Sequence, residues 1–335
     1  MITINDVANE AGVSIATVSR VFNNTAKVAE KTRKKILKTA KKLGYKHVPN
    51  PRVRSTFKTI GLITPTFNGN HYGEIFMGIE DFAFQNNYDI IVATTERIPE
   101  KEEQIIEDYF KRRVDGVLIC SLKSNEHFLN ELINSGIPVV SIDNKISDMK
   151  VDSINIDNYN AAYSVSRYLY KKGHRNVLFI PGPNDYYSAR ERKDGLFNFS
   201  LKHNDFKIIE SDIKGFEPVD GYKAMKNYLK KYGKNFTAIF SINDHVAMGI
   251  MNALSEHNLS VPEDVSIVGF DNSLFAEFTV PPLTTVYQPR KEMGFTAAQL
   301  LIERLNGNKI GVHRNILLPA DLIERKSVKD ISGKE

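Results

Sequence analysis

Residues 3 to 20 hold the side chains best suited to chemistry on a polymer. Thr3 stands three residues before Asp6, so each side chain can satisfy an orphan N–H of a first helical turn. Ile4, Val7 and Ala8 recur at i, i+3 and i+4, the stripe of a helix packed on one face. Gly12 allows the left-handed conformation of a tight turn, and Val13 fills the space between two helices. Ser14 is an N-cap for a second helix with Val18, Val21 and Phe22 inward. Ile15, Ala16, Thr17, Ser19 and Arg20 then face outward, at the end of the helix that a helix-turn-helix presents to a major groove. Arg20 can read guanine O6 and N7 bidentately, and Ile15 and Ala16 can meet thymine methyl groups. The same pattern also suits an ordinary helical hairpin with a solvated arginine. Charge decides between the two.

The formal charge of +5 is unevenly spread. Residues 1–58 hold 13 Lys/Arg against 3 Asp/Glu, a net +10, and the remainder is −5. A basic head on a mildly acidic body implies phosphate contact at one end. The predicted DNA contacts are Thr3, Ser14, Ile15, Ala16, Thr17, Ser19, Arg20, Asn23, Arg52 and Arg54.

A third helix is expected over residues 30–43, with Ile36, Leu37, Ala40 and Leu43 inward, ended by Gly44, and Tyr45 covering the core. Residues 1–46 therefore read as the DNA-binding domain. Residues 47–58 contain two prolines and several basic residues and read as a hinge or linker. Residues 59–335 read as a two-lobed body for effector binding and dimerisation. There, strands near 60–64, 90–94, 117–120, 139–142, 177–181, 208–213, 238–242 and 266–270 alternate with amphipathic helices. That alternation implies parallel sheets covered on both faces, in lobes near 60–157 and 158–280. The tail holds strand-like stretches at 284–288 and 315–318 and a helix near 293–305. No apolar run approaches the roughly 20 residues that span a membrane. The N-terminus has no secretory pattern and there is one cysteine, Cys120, so a cytoplasmic location is expected.

Paired parallel-sheet lobes bind small ligands where strand C-terminal ends face a crevice. Asp143, Asn243, Asp244 and Asp271 follow such strands, and the carboxylates and amide suit the hydroxyls of a sugar. Asp143 and Asp244 also suit strand-end caps.

The chain resembles the lactose/galactose repressor (LacI/GalR) family of bacterial transcription regulators. TINDVANEAGVSIATVSRVFN at 3–23 looks like its DNA-binding signature, and TRKKILKTAKKLGY at 32–45 like its third helix. KGHRNVLFIPGP at 172–183, AIFSINDHVAMGIMNAL at 238–254 and DVSIVGFDN at 264–272 continue the match in order. The resemblance implies an all-α three-helix head with a two-lobed α/β, periplasmic-binding-protein-like body. It implies a homodimer, or a dimer of dimers, on a pseudo-palindromic operator in double-stranded DNA, with affinity set allosterically by an effector. It matches Arg192 to an effector-binding arginine, Phe216 to a stacking aromatic, and His71 and Tyr72 to a first-loop pair; Gln288 is placed at the cleft. Phe216 and Tyr72 equally suit lobe-core aromatics. Tyr186 stands where purine-binding members carry a base-reading arginine, which favours a sugar. A purine corepressor, or a phosphocarrier protein partner, is the alternative within the family.

Two departures stand out. Ala29 replaces the usual Ser or Thr cap of the third helix, at a cost of about 0.5–2 kcal/mol. The linker pattern Pro-Asn-x-x-Ala-Arg-x-Leu becomes Pro49-Asn50-Pro51-Arg52-Val53-Arg54-Ser55-Thr56, with threonine in place of the minor-groove leucine wedge. A sugar-binding enzyme is the rival from outside. The chain lacks G-x-S-x-G, Walker and G-x-G-x-x-G motifs, and its eight histidines show no metal-ligand spacing. No catalytic residue, cofactor or metal is expected.

Overall fold

The computed structural model describes residues 2–23, 28–45, 58–67, 70–120, 126–144, 151–307 and 312–333. The chain divides into two compact units, residues 1–57 and 58–335. Arg52, Arg54 and Thr56 lie outside the described residues.

The first unit holds α1 (Ile4–Ala11), α2 (Ile15–Asn23) and α3 (Glu30–Leu43). Thr3 and Asp6 form the reciprocal cap, with Thr3 N donating to Asp6 Oδ2 at 2.7 Å and Asp6 N to Thr3 Oγ1 at 3.4 Å. Gly12 ends α1 at φ 63° and Gly44 ends α3 at φ 68°, left-handed positions that favour glycine. Val7, Ala8, Val18, Val21, Ile36 and Ala40 are buried in one small core, with the Phe22 and Tyr45 rings edge to face at 5.5 Å. Ala29 caps α3 without a side-chain hydrogen bond. Leu37, expected inward, is 43 % exposed. It lies about 100° round the helix from Ile36, off the stripe that Ile36, Ala40 and Leu43 define.

In the second unit the first lobe runs β1 (Lys58–Thr64), α4 (Asn70–Gln85), β2 (Tyr88–Thr94), α5 (Pro99–Arg112), β3 (Gly116–Cys120), α6 (Glu126–Asn134), β4 (Val139–Ile142) and β5 (Asp152–Ile156). The second lobe follows as α7 (Asn158–Lys171), β6 (Asn176–Ile180), α8 (Tyr187–Lys202), β7 (Lys207–Glu210), α9 (Pro218–Tyr232), β8 (Ala238–Ser241), α10 (Asp244–Glu256) and β9 (Ser266–Val268). The tail supplies β10 (Thr285–Tyr287), α11 (Arg290–Leu305), β11 (Asn315–Leu318) and β12 (Asp321–Ile323). The sheets have strand orders β11-β5-β4-β3-β1-β2 and β7-β6-β8-β9, all pairs parallel, while β10 and β12 pair antiparallel. Helices cover these sheets, which is why β1 and β3 read as continuous apolar runs.

The tail corrects the expected split into consecutive lobes. Helix α11 packs on α4 and β11 extends the first sheet beyond β5, so the chain passes between lobes three times. The α4–α11 crossing depends on glycine: a Cβ on Gly78 would lie 1.9 Å from Lys291 O, and one on Gly294 1.9 Å from Ile75 O. Strand β5 had no expected counterpart because Asp152, Ser153 and Asn155 break its apolar pattern. All three are buried and bonded, Asp152 to Arg304 Nε at 2.8 Å and Ser153 Oγ to Asn315 Oδ1 at 2.8 Å. Asn155 Nδ2 donates to Asn144 O at 3.1 Å.

Candidate functional site

Two sites stand out, one on each unit. On the head, Ser14 Oγ accepts from Thr17 N at 3.2 Å and so starts α2. Ser14, Ile15, Ala16 and Arg20 are exposed, Ile15 by 49 %, and present a mixed apolar and cationic face. Thr17 and Ser19, expected to face fully outward, are half-buried, and the Thr17 hydroxyl lies 2.8 Å from Ser14 Oγ. They sit at the edges of the stripe beside Val18, so packing takes part of their surface. Thr3 is exposed and hydrogen-bonded to Asp6, and Asn23 is the last residue of α2.

In the body a cleft opens where the C-terminal strand ends of both lobes meet. It encloses about 640 Å³ of space counting its open mouth. The first lobe contributes His71 and Tyr72 from the first turn of α4 and Asp143 from the end of β4; the second contributes Tyr186, Arg192, Phe216, Asn243 and Asp271. Residues spread over 200 positions thus converge because each follows a parallel strand or lies in the first two turns of the helix after it.

Asp143 and Asp271 both have positive φ, 54° and 108°, uncommon for residues with a Cβ and concentrated at functional sites. His71 Nε2 lies 3.6 Å from Asp143 Oδ2, and among the described residues neither His71 Nε2 nor Asp143 Oδ1, both buried, has a hydrogen-bond partner. Arg192 is 4 % exposed. Its Nε donates to Asn158 Oδ1 at 2.8 Å and its Nη1 to Ile242 O at 2.7 Å, with Asp271 Oδ1 at 3.8 Å. The guanidinium lies 3.6 Å from the Phe270 ring centroid. Burial pulls its pKa down, opposed by the charges of Asp271, Asp143 and Asp244.

Asn243 caps α10, Oδ1 accepting from Val246 N at 2.8 Å, while Nδ2 donates to Phe216 O at 3.0 Å. Its place on the wall is therefore also structural. Tyr186 and Phe216 meet edge to face at 4.9 Å.

Gln288 does not line the cleft. It is fully buried behind Asp271, and its Nε2 donates to Asp271 Oδ1, because β10 lies alongside the Asp271 segment. Asp244 also lies beneath the wall, accepting from Thr285 Oγ1 at 2.6 Å and Ser273 N at 2.7 Å. Burial and the nearby Asp271 charge push its carboxyl up to about 7.

Sequence reasoning missed Thr66, Arg97, Ser188, Glu217 and His245, all of which line the cleft. Thr66 and Arg97 follow β1 and β2, so the strand-end rule applied to every strand finds them. Ser188 lies one helical turn before Arg192, and Glu217 and His245 adjoin residues already singled out.

Residues 3–50 match the model of bacterial regulatory proteins of the lacI family, and residues 166–328 that of the periplasmic binding protein-like domain. The HTH-type transcriptional repressor PurR of Actinobacillus pleuropneumoniae is 34 % identical over 99 % of this chain and 100 % of its own length. The chain belongs to the LacI family. As such it is a DNA-binding transcriptional repressor, with a helix-turn-helix head and a parallel-sheet body. Solved structures of similar regulators agree along nearly the whole chain. The lac repressor dimer bound to operator and the anti-inducer ONPF has a TM-score of 0.77 at 26 % identity, covering 98 % of this chain and 99 % of that one. The complex of the regulator CelR with cellobiose has a TM-score of 0.74 at 28 % identity, covering 98 % and 100 %. Among the described residues no helix is long and apolar enough to cross a membrane.

Proposed function

We propose that this LacI-family repressor controls sugar-utilisation genes, binding a pseudo-palindromic operator as a homodimer and releasing it when a sugar occupies the cleft. The observation that carries the reading is a pair of buried polar atoms, Asp143 Oδ1 and His71 Nε2, that have no hydrogen-bond partner among the described residues and line the same cleft as Arg192 and Asp271 of the other lobe. A buried polar atom left unsatisfied costs about 1–3 kcal/mol, which a ligand hydroxyl that both donates and accepts recovers. Arg20, Ile15 and Ala16 are the proposed base-reading residues, with Thr3, Ser14, Thr17, Ser19 and Asn23 around them. The effector contacts are His71, Tyr72, Asp143, Tyr186, Arg192, Phe216, Asn243 and Asp271. Leu274, Phe278 and Val280 are 67 %, 76 % and 92 % exposed in one short segment, an apolar patch that suits a second copy of the chain.

Effector binding changes DNA affinity only as far as the two lobe arrangements differ in effector affinity, typically ~1–3 kcal/mol. A flat purine is the second reading, favoured by the Tyr72 and Phe216 rings around the cleft. A thermal-shift panel of mono- and disaccharides, sugar phosphates and purines tests both. Hits go into gel shifts with DNA selected from a random pool. A sugar that raises the melting temperature and weakens DNA binding supports the proposal. If no sugar does either, the sugar reading fails; a purine that strengthens DNA binding replaces it.

A further inference from the structure

Arg97 and Glu217 reach each other from opposite lobes at the cleft. Arg97 lies in the loop after β2 and Glu217 immediately before α9. Arg97 Nη1 donates to Glu217 Oε1 at 3.1 Å, and the guanidinium carbon lies 5.6 Å from the Phe216 ring centroid.

Both partners are fixed to their own lobe. Glu96 and Arg97 have left-handed backbones, φ 53° and 63°, and Arg97 N donates to Thr95 Oγ1 at 3.2 Å. Glu217 N donates to Asp220 Oδ2 at 3.1 Å, and Pro218 opens α9 with its φ restricted. Neither backbone can follow the other. A change in lobe spacing must therefore be taken up by the two side chains alone, and a spacing beyond their reach breaks the pair.

We propose that Arg97 and Glu217, with Phe216 beside the guanidinium, form a clasp that biases the spacing of the two lobes and thereby DNA affinity. The proposal rests on the reading of this cleft as the effector site. Both side chains line the same cleft as Arg192 and Asp271, so an entering ligand competes with the clasp for them. The side chains are 33 % and 44 % exposed, so the bias is modest, about two- to fivefold in the lobe equilibrium. Any ligand that prefers one spacing then binds more tightly or more weakly by that factor when the clasp is broken.

Amide hydrogen exchange on the full-length protein tests the clasp without an effector. The chains compared are the parent, Arg97→Ala, Glu217→Gln, and the reversed pair Arg97→Glu with Glu217→Arg. Each single substitution is expected to speed exchange about two- to fivefold in the partner lobe's segment, residues 215–221 for the first and 95–98 for the second. The reversed pair should restore protection on both sides. A change confined to the substituted residue's own segment overturns the clasp and leaves the effector reading standing, since the ligand panel is independent of it. A gel shift with pool-selected DNA reads the second half: Arg97→Ala should move the Kd about two- to fivefold with no ligand added. Cross-lobe deprotection beside an unchanged Kd overturns the link to DNA.

Discussion

Replacing Arg192 by methionine keeps an unbranched apolar stem, shortens the side chain by two atoms, and removes its charge and donors. Asn158 Oδ1 and Ile242 O lose the bonds they accept at 2.8 and 2.7 Å, and Asp271 loses the cation 3.8 Å away. Asn158 and Ile242 are 1 % and 0 % exposed, so each orphaned acceptor costs about 1–3 kcal/mol. Against this, the substitution relieves the burial of a guanidinium, and Gln288 still donates to Asp271. The net expectation is a loss of roughly 2–4 kcal/mol, short of the ~3–5 kcal/mol seen when a buried pair loses one partner outright. At about 2 °C per kcal/mol for a unit of this size, the melting temperature of the body falls by about 4–8 °C. Urea unfolding should show a lower midpoint with an unchanged m-value, because the surface exposed on unfolding is the same. A loss below about 1 kcal/mol would refute the argument, since water in the cleft would then be satisfying the two acceptors.

Three further outcomes follow from other parts of the molecule. Asp152→Asn should destabilise the body by about 3 kcal/mol at pH 7, because a buried carboxylate accepts from Arg304 Nε, Arg304 Nη2 and Arg314 N. Burial alone would raise the Asp152 pKa, but those hydrogen bonds and the Arg304 and Arg314 charges hold it below the ordinary aspartate value. Its contribution is therefore complete above the unfolded pKa and is lost as pH falls through the lower folded value; a melting series below about pH 4 should show that limb in the parent and not in the variant. Gly78→Ala should cost at least about 2 kcal/mol in urea unfolding, since the added carbon meets the Lys291 carbonyl and a packed helix pair must separate. Arg20→Ala should weaken binding to selected DNA by roughly 5- to 150-fold in a gel shift while leaving the head's melting temperature within about 2 °C.

The parts of the chain that repeat a physical rule are legible in the order of residues alone. Thr3, Gly12, Ser14 and Gly44 do the capping and turning their types dictate, and strands followed by polar residues deliver Asp143 and Asp271 to the cleft. The failures have equally definite causes. β5 hides its strand character behind polar side chains that are bonded only in three dimensions. Leu37 is apolar but off the buried stripe. Gln288 follows a strand, as cleft residues do, yet the Asp271 segment stands between it and the ligand space. Arg97 and Glu217 are ordinary charged residues until two lobes fold, and only distance between elements 120 residues apart reveals their pairing.

The place of β11 beside β5 sets a timetable for synthesis. Strand β5 ends at Ile156 and its neighbour at Leu318, so 162 residues must leave the ribosome in between. At about 5–20 residues per second, the first lobe waits roughly 8–30 s with that edge open. An open edge invites pairing with other chains, and a charge pointing inward is one of the devices that discourages it. Asp152 has no arginine partner until Arg304 and then Arg314 emerge, so β5 carries an unneutralised carboxylate for most of the time its edge is exposed. The residue that locks the finished sheet would thus guard the unfinished one, and the nascent chain is protected by the same side chain whose charge the completed fold absorbs.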